Sequence, residues 1–330
     1  MADFDITIEG LSDEVIAAYG EAELQRGSNG SSTIEWTFRN NPAPFAVARS
    51  NGKIVGISSY IQSSMKFANG VGTSLQAVDS FVMPQARRKG LFSKLAVAYR
   101  DHAERSDCDL VWGFPNENAA PVWFNRLGWT SFGQVPFLVK PLRAGYFLRK
   151  MGIERDFKIS RERDNSALCI TSAGEWIDSV WERFSADIPV SRLRDREFIS
   201  YRLFDSPDAD SYRVAASPDA TDGALVATRQ MEKHGGRIAY IMEAYGGRDL
   251  RGLISSELGR LTDQGTELVL AWSYPWSPNY STLRKCGFLP LPERLRPISI
   301  WAGALPISPK GAAAYTKSNW YLSYLDSDTV

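Results

Sequence analysis

Histidine and cysteine are scarce: the 330 residues hold two histidines, His102 and His234, and three cysteines, Cys108, Cys169 and Cys286. Neither histidine stands in a His/Cys/Asp cluster with metal-ligand spacing, which argues against zinc and against a histidine-based triad. The cysteines lie far apart without a CxxC pair, and an odd number in a chain of this length suits a reducing compartment, with the thiols expected buried. Net charge is also missing, since Lys+Arg and Asp+Glu balance at 38 each. No global field therefore draws nucleic acid or an anionic surface, and any anion site must be local. No apolar run approaches the ~20 residues of a membrane span. The opening MADFDITIEG lacks the basic and then apolar pattern of a secretory signal. These absences point to a cytoplasmic protein with no metal, no nucleic-acid partner and no membrane span; the oligomeric state is not readable.

What the chain does have is material for cores, with 44% hydrophobic residues in a length that suits one large or two ordinary domains. Ser12 followed by Asp13 and Glu14 reads as a helix start. FAVARSNGKIVGISSYI reads as a hairpin turning at Asn51-Gly52. SLQAVDSFVM is a third strand stopped by Pro84, and Leu91, Leu95, Ala98 and His102 then recur at helical spacing. CDLVWGF is the next strand, NENAAPVWFNRLGW a short helix closed by Gly128, and SFGQVPFLVK a returning strand. This alternation predicts an α/β (α+β) layer fold, a mostly antiparallel twisted sheet flanked by helices.

The second half echoes the first in order. EWTFRNNPAPFAVA is answered by SYRLFDSPDADSYRVA, KGLFS by RGLIS and FNRLGW by LRKCGF, and Leu250, Ile254, Leu258 and Leu261 trace a second helix face. Two tandem domains are expected, 1–145 and 166–330, joined by a charged, arginine-rich linker at 146–165.

The chemistry concentrates in PQARRKGLFSKL. A strand that turns into a helix leaves the first helical N–H groups unpaired at the positive end of the dipole. Gly90 permits close approach of a ligand, and Arg87, Arg88 and Lys89 add charge. The competing reading is a solvated basic turn. GxxxxGK[ST] is absent, so a nucleotide-hydrolysing loop is not expected.

FVMPQARRKGLF after a strand, followed by FPNENAAPVWFNRLGW, resembles the acyl-CoA binding core of the GNAT N-acetyltransferase superfamily over about residues 30–140. Val82, Pro84, Arg87, Gly90 and Leu127-Gly128-Trp129 carry the likeness. The family pattern (Arg or Gln)-x-x-Gly-x-(Gly or Ala) is met at Arg87 and Gly90 and broken at Phe92, whose ring is expected to pack beneath the helix with only its N–H toward the ligand. The resemblance implies that acetyl-CoA or another short acyl-CoA lies with its pantetheine arm along Phe81, Val82 and Met83. Its pyrophosphate would lie on the amides of Arg87, Arg88, Lys89, Gly90, Leu91, Phe92 and Ser93. The following strand would splay away, with Asn116 and Asn118 at its end bonding the pantetheine or substrate, Asn118 close to the chemistry. An Asn-rich turn that caps the short helix competes with that role.

In such enzymes an amine attacks the thioester directly. Asp79, in the strand leading into the loop, is placed to take the proton; an exposed or arginine-paired strand residue is the alternative. The tyrosine that often protonates the thiolate is replaced by Phe124, and by Leu283 in the second copy. Aligning KGLFS with RGLIS puts Asp249 where Arg87 stands, a carboxylate that repels phosphate. One acyl-CoA per chain is therefore expected, in the first domain. The second domain is degenerate and shapes the acceptor site, with Glu243 as a substrate-binding candidate against a core or ion-paired placement. Asp326 and Asp328 are read as binding an amino group or as a disordered end, and most tryptophans as core. Within the superfamily, RRKGLF before GFPNENAAPVWFNRLGW is similar to transferases that acylate nucleotide-linked amino sugars for polysaccharides. The alternatives are aminoacyl or peptidyl transfer to cell-wall precursors and a non-catalytic acyl-CoA-binding pair.

Overall fold

The structure, a computed structural model, describes residues 4–26, 31–39, 41–162, 167–233 and 235–327. In chain order the elements are β1 (Asp5–Glu9), α1 (Asp13–Arg26), α2 (Ser31–Arg39), β2 (Phe45–Ser50), β3 (Lys53–Phe67), β4 (Gly70–Val82), α3 (Leu91–Ala103), β5 (Leu110–Gly113), α4 (Ala120–Arg126), β6 (Thr130–Gln134) and β7 (Phe137–Pro141). There follow α5 (Gly145–Lys150), β8 (Leu168–Cys169), α6 (Trp176–Phe184), β9 (Ser191–Arg192), α7 (Arg196–Ile199), β10 (Tyr212–Ser217), β11 (Ala224–Lys233), β12 (Gly236–Gly246), α8 (Leu250–Asp263), β13 (Leu268–Trp272), α9 (Tyr280–Lys285), β14 (Leu289–Leu291) and β15 (Trp301–Pro306). Short 3-10 turns, among them Pro84–Ala86, lie between.

The chain divides into two compact units, Met1–Gln134 with Ile300–Asn319, and Val135–Ser299 with Trp320–Val330. In the first, the strands run in the order β1-β2-β3-β4-β5-β15-β6. Asn51 and Gly52 both take positive φ, 51° and 76°, and form the expected two-residue turn between β2 and β3. β4 and β5 pair in parallel, because α3 carries the chain over the sheet between them. Val15, Tyr19, Ala22 and Phe38 of α1 and α2 close over Phe45, Val47, Phe81 and Met83 in one core. Leu91, Leu95 and Tyr99 of α3 pack into another with Ala46, Ala48 and Leu75. Alternation along β4 thus sends Phe81 and Met83 toward α1 while Val82 packs on the α3 side.

The second unit repeats this plan with the order β14-β7-β13-β12-β11-β10-β8, and β12 and β13 are again parallel around a helix, α8. SFGQVPFLVK is not one strand but two. β6 stays with the first sheet and β7 enters the second between β13 and β14; Pro136, with no N–H for a ladder, lies between them. The missing position in the first sheet is filled by β15, which pairs with β5 (Gly303↔Gly113) and β6 (Ala304↔Thr130). The two units have exchanged a strand. The boundary near residue 145 and the linker at 146–165 therefore give way to a crossing at 134/135. Residues 145–150 form α5, fixed to the second unit by Arg149, whose two terminal nitrogens reach Glu267 at 2.8 and 2.6 Å.

Candidate active site in the first unit

The site begins with a defect in β4. Phe81 faces Ile57 and Val78 faces Ser59, so Asp79 and Ser80 together oppose Ser58. This is a β-bulge, and Asp79 takes φ 40°, a left-handed conformation that aspartate tolerates better than most residues. Serines pin it: Ser59 Oγ donates to Val78 O at 2.6 Å, Ser59 N donates to Ser80 Oγ at 3.2 Å, and Ser58 Oγ lies 3.3 Å from Ser80 Oγ. Ser58 also contacts Tyr60 Oη at 3.4 Å; burial pushes that phenol up to about 12 and keeps it protonated. None of these serines is singled out by the sequence reading. Their only signal is that ISSY and VDSF face each other across a hairpin.

Beyond the bulge the two parallel strands part. Pairing of β4 with β5 runs from Ser74↔Leu110 to Ala77↔Gly113 and stops, while β4 continues to Val82. Gly113 leaves little room at the fork, since a Cβ there would stand 3.0 Å from Ala77 O and 3.2 Å from the Trp123 ring. The chain past β5 turns to β15 instead, with Trp301 N donating to Pro115 O at 3.1 Å.

Past Val82 the backbone makes the short turn Pro84–Ala86, then Arg88 at φ 62° and Gly90 at φ 74°, and enters α3 at Leu91. At Gly90 a Cβ would meet nothing within 4 Å, so the position asks for glycine by conformation and not by space. No side chain caps α3. Its first-turn N–H groups, at Leu91, Phe92 and Ser93, have no acceptor four residues back within the helix and lie at the positive dipole end. Arg87, Arg88, Lys89 and Gly90 are exposed around them.

Beside this loop lies a cleft of ≈ 230 Å³ lined by Ala22, Ser80, Phe81, Val82, Met83, Arg87 and Phe92. Of the expected ligand-holding residues it gathers Phe81, Val82, Met83, Arg87 and Phe92. Met83 lines it without its N–H, which donates to Val55 O at 2.9 Å, and Arg87 Nε donates to Val82 O at 3.0 Å. Phe92 is half-buried against the α3-side core as well as lining the cleft. Ala22, one wall, is a contribution of α1 that no motif announces. Asp79 is exposed at the bulge. Asn116 and Asn118 are exposed beyond β5, and Asn116 Oδ1 accepts from the N–H groups of Asn118 (3.0 Å) and Ala119 (3.1 Å), the turn that leads into α4.

The second unit builds the same place differently. β12 carries its own bulge, since Ala227 faces Glu243 and Thr228 faces Ile241. From its end at Gly246 only Gly247, Arg248 and Asp249 precede α8, against Met83 to Gly90 before α3. Asp249, the residue before α8, therefore corresponds to Gly90 and not to Arg87, and Gly252 lies inside the helix. The KGLFS and RGLIS echo is out of register because the second loop is shorter. Asp249 accepts from Ser217 Oγ at 2.5 Å. Glu243 is wholly buried, and accepts from Arg194 Nε at 3.0 Å, Tyr321 Oη at 2.5 Å, Ser323 Oγ at 2.7 Å and Ala244 N at 2.9 Å. Asp326 joins it, held by Arg194 at 2.5 Å in the core, not in a disordered end; Asp328 lies outside the described residues. Glu243 and Asp326 occupy one ionic core with Arg194. Cys108 and Cys286 are buried as expected, and Cys169 is exposed on β8.

Residues 9–129 match the acetyltransferase (GNAT) family model. Over those residues the first unit is similar to that family. Solved structures share the fold over most of the chain. A conserved protein from Enterococcus faecalis V583, described as a probable N-acyltransferase, aligns at TM-score 0.64 and 9% identity over 92% of this chain and 73% of its own. A GCN5-related N-acetyltransferase from Anabaena variabilis aligns at 0.64 and 12% over 94% and 75%. N-myristoyltransferase of Saccharomyces cerevisiae, solved with bound myristoyl-CoA, aligns at 0.60 and 12% over 93% and 83%. At these identities the likeness is one of fold. No curated protein matches the chain by sequence.

Proposed function

We propose that the protein is an acyl-CoA-dependent N-acyltransferase with one donor site per chain, in the first unit. The observation that carries this reading is the uncapped start of α3, reached through two left-handed residues and ringed by Arg87, Arg88 and Lys89, beside a cleft where β4 has parted from β5. An amide-lined, basic, close-approach turn suits a pyrophosphate. The N–H groups of Leu91, Phe92 and Ser93 would hold it, and Phe81 and Val82 would flank the pantetheine arm. Asn116, whose Oδ1 is engaged in its own turn, could contribute only its amide N–H groups.

Bound acyl-CoA supplies the activated carbonyl. The amine nitrogen forms the new C–N bond, its surplus proton passes to Asp79 directly or through water, and the C–S bond breaks with its electron pair to the departing thiolate. The bulge at Asp79-Ser80 turns backbone out of the ladder where that carbonyl needs a donor. Phe124 packs against Gly303 and has no proton to give, so the thiolate leaves on the strength of its own low basicity or is protonated by water or Asn118-bound water. The acceptor class we propose is the amine of a nucleotide-linked amino sugar, on the strength of RRKGLF preceding GFPNENAAPVWFNRLGW.

Calorimetry with CoA and release of free thiol from acetyl-CoA, on addition of nucleotide amino sugars and of simple amines, test this. CoA binding with thiol release only in the presence of an amino sugar is expected. CoA binding without release for any amine would make the chain a non-catalytic binder; no CoA binding would end the donor assignment. Within the same assay, Gly90→Glu should abolish CoA binding in a folded protein, by placing a carboxylate and a Cβ in the left-handed turn. Asp249→Ala should leave CoA binding unchanged, and equal effects would refute a single site.

A further inference from the structure

We infer that the segment 145–161 of the second unit is a docking surface for an anionic lipid bilayer. It gathers large apolar side chains that the fold leaves in solvent: Phe147 is 42% exposed, Met151 65%, Ile153 42%, Phe157 59% and Ile159 47%. Isolated exposed apolar residues are ordinary, but five within thirteen positions are not. They belong to one local element, because the chain closes on itself. Ala144 N donates to Phe157 O at 2.9 Å, Ile159 N to Leu142 O at 2.8 Å and Gly145 N to Asp156 Oδ1 at 2.9 Å, and Arg143 pairs with Asp156 at 2.6 Å.

Two ion pairs tie the element to the rest of the second unit. Arg149 of α5 reaches the buried Glu267, while Phe147 on the helix and Met151 just past its end are exposed. On the returning run, Lys158 pairs with Asp263 at 2.5 Å on the surface, and its neighbours Phe157 and Ile159 are exposed. Arg149 and Lys158 are thus engaged by the protein's own carboxylates, while the five apolar side chains stand in solvent.

Charge decides the occupant. Residues 143–162 carry six cations, of which Arg143 pairs with Asp156, Arg149 with Glu267 and Lys158 with Asp263, leaving Lys150, Arg155 and Arg161 beside the apolar side chains. Lys150, Arg155 and Arg161 are exposed among the apolar residues, and Lys150 Nζ stands 4.5 Å over the Tyr146 ring. Exposed apolar side chains ringed by cations match the acyl boundary and the phosphates of an anionic leaflet.

The test is co-sedimentation of the full chain with vesicles of phosphatidylcholine alone and of phosphatidylcholine with phosphatidylglycerol. Binding to the anionic vesicles only, weakened about fivefold for each charge in Lys150→Glu and Arg155→Glu and lost in Met151→Ser with Phe157→Ser, is expected. These surface variants should keep the thermal midpoint of the parent. No binding to anionic vesicles, equal binding by the variants, or a concentration-dependent dimer in sedimentation velocity that the same variants abolish would overturn the assignment.

Discussion

Glu243 shows how one residue's surroundings decide between two roles. As a carboxylate in the strand equivalent to β4 it is a fair candidate for contacting an acceptor, yet its four hydrogen-bond partners and full burial commit it to Arg194. Burial by itself would lower the Arg194 guanidinium, but Asp326 and Glu243 outweigh it and hold the group well above its ordinary value, so it stays charged. Burial and the Glu243 carboxylate together push the Tyr321 phenol well up, which keeps it the donor in its bond to Glu243. Removing the cation would leave two carboxylates in a dry core. Arg194→Ala should therefore cost about 3–5 kcal/mol, read as a fall in the denaturant midpoint of the full chain. CoA affinity, measured where the variant is still folded, should not change. A fall in affinity with stability intact would return Glu243 and its partners to the site. The sequence could not have decided this, because Arg194 lies 49 residues before Glu243 and Asp326 lies 83 after it.

At the scale of elements, turns and caps were legible because their chemistry is local. Asn51-Gly52 demands positive φ, Ser12 Oγ accepts from Val15 N at 3.3 Å as a helix start should, and Gly128 and Gly287 close α4 and α9 at φ 75° and 84°. The loop before α3 was legible for the same reason. Its counterpart was not: a deletion shifts the helix start by three residues against the best-looking letter match, and only backbone geometry restores the register. The cleft has a wall that no motif reveals, Ala22, which is 5% exposed on α1. Its methyl is what leaves the ≈ 230 Å³ open between α1 and the end of β4. Ala22→Trp should fill that space and reduce CoA affinity at least tenfold, while Arg87, Gly90 and α3 keep their places. Calorimetry with CoA, and with its 3′,5′-ADP half as a control that needs only the phosphate loop, separates the effects. Loss of both ligands together would mean that the cleft is not where the pantetheine arm lies.

The fold of the whole molecule was readable as two related α/β halves and unreadable in its connections. Periodicity identifies a strand and its buried face but not the sheet it joins, so SFGQVPFLVK looks like one strand where the chain in fact passes from one sheet to the other. The consequence is energetic. β6 has β15 as its partner in the sheet, and the segment after β15 is fixed to the start of β5: Ile307 N donates to Asp109 O at 2.9 Å, Ser308 Oγ meets Asp109 Oδ1 at 2.5 Å, and Gly311 sits so close that a Cβ would stand 2.2 Å from Asp109 O. A chain of residues 1–145, the domain that composition suggests, lacks β15, leaves β5 and β6 with open edges, and should aggregate without a cooperative unfolding transition. Residues 1–134 joined by a flexible linker to 300–319 restore the sheet order β5-β15-β6 and should unfold cooperatively and bind CoA. If the 1–145 chain folds and binds CoA as the full protein does, the exchanged strand is dispensable to the first unit. If neither chain folds, the first unit depends on the second for more than the one strand that the sheet order assigns to it.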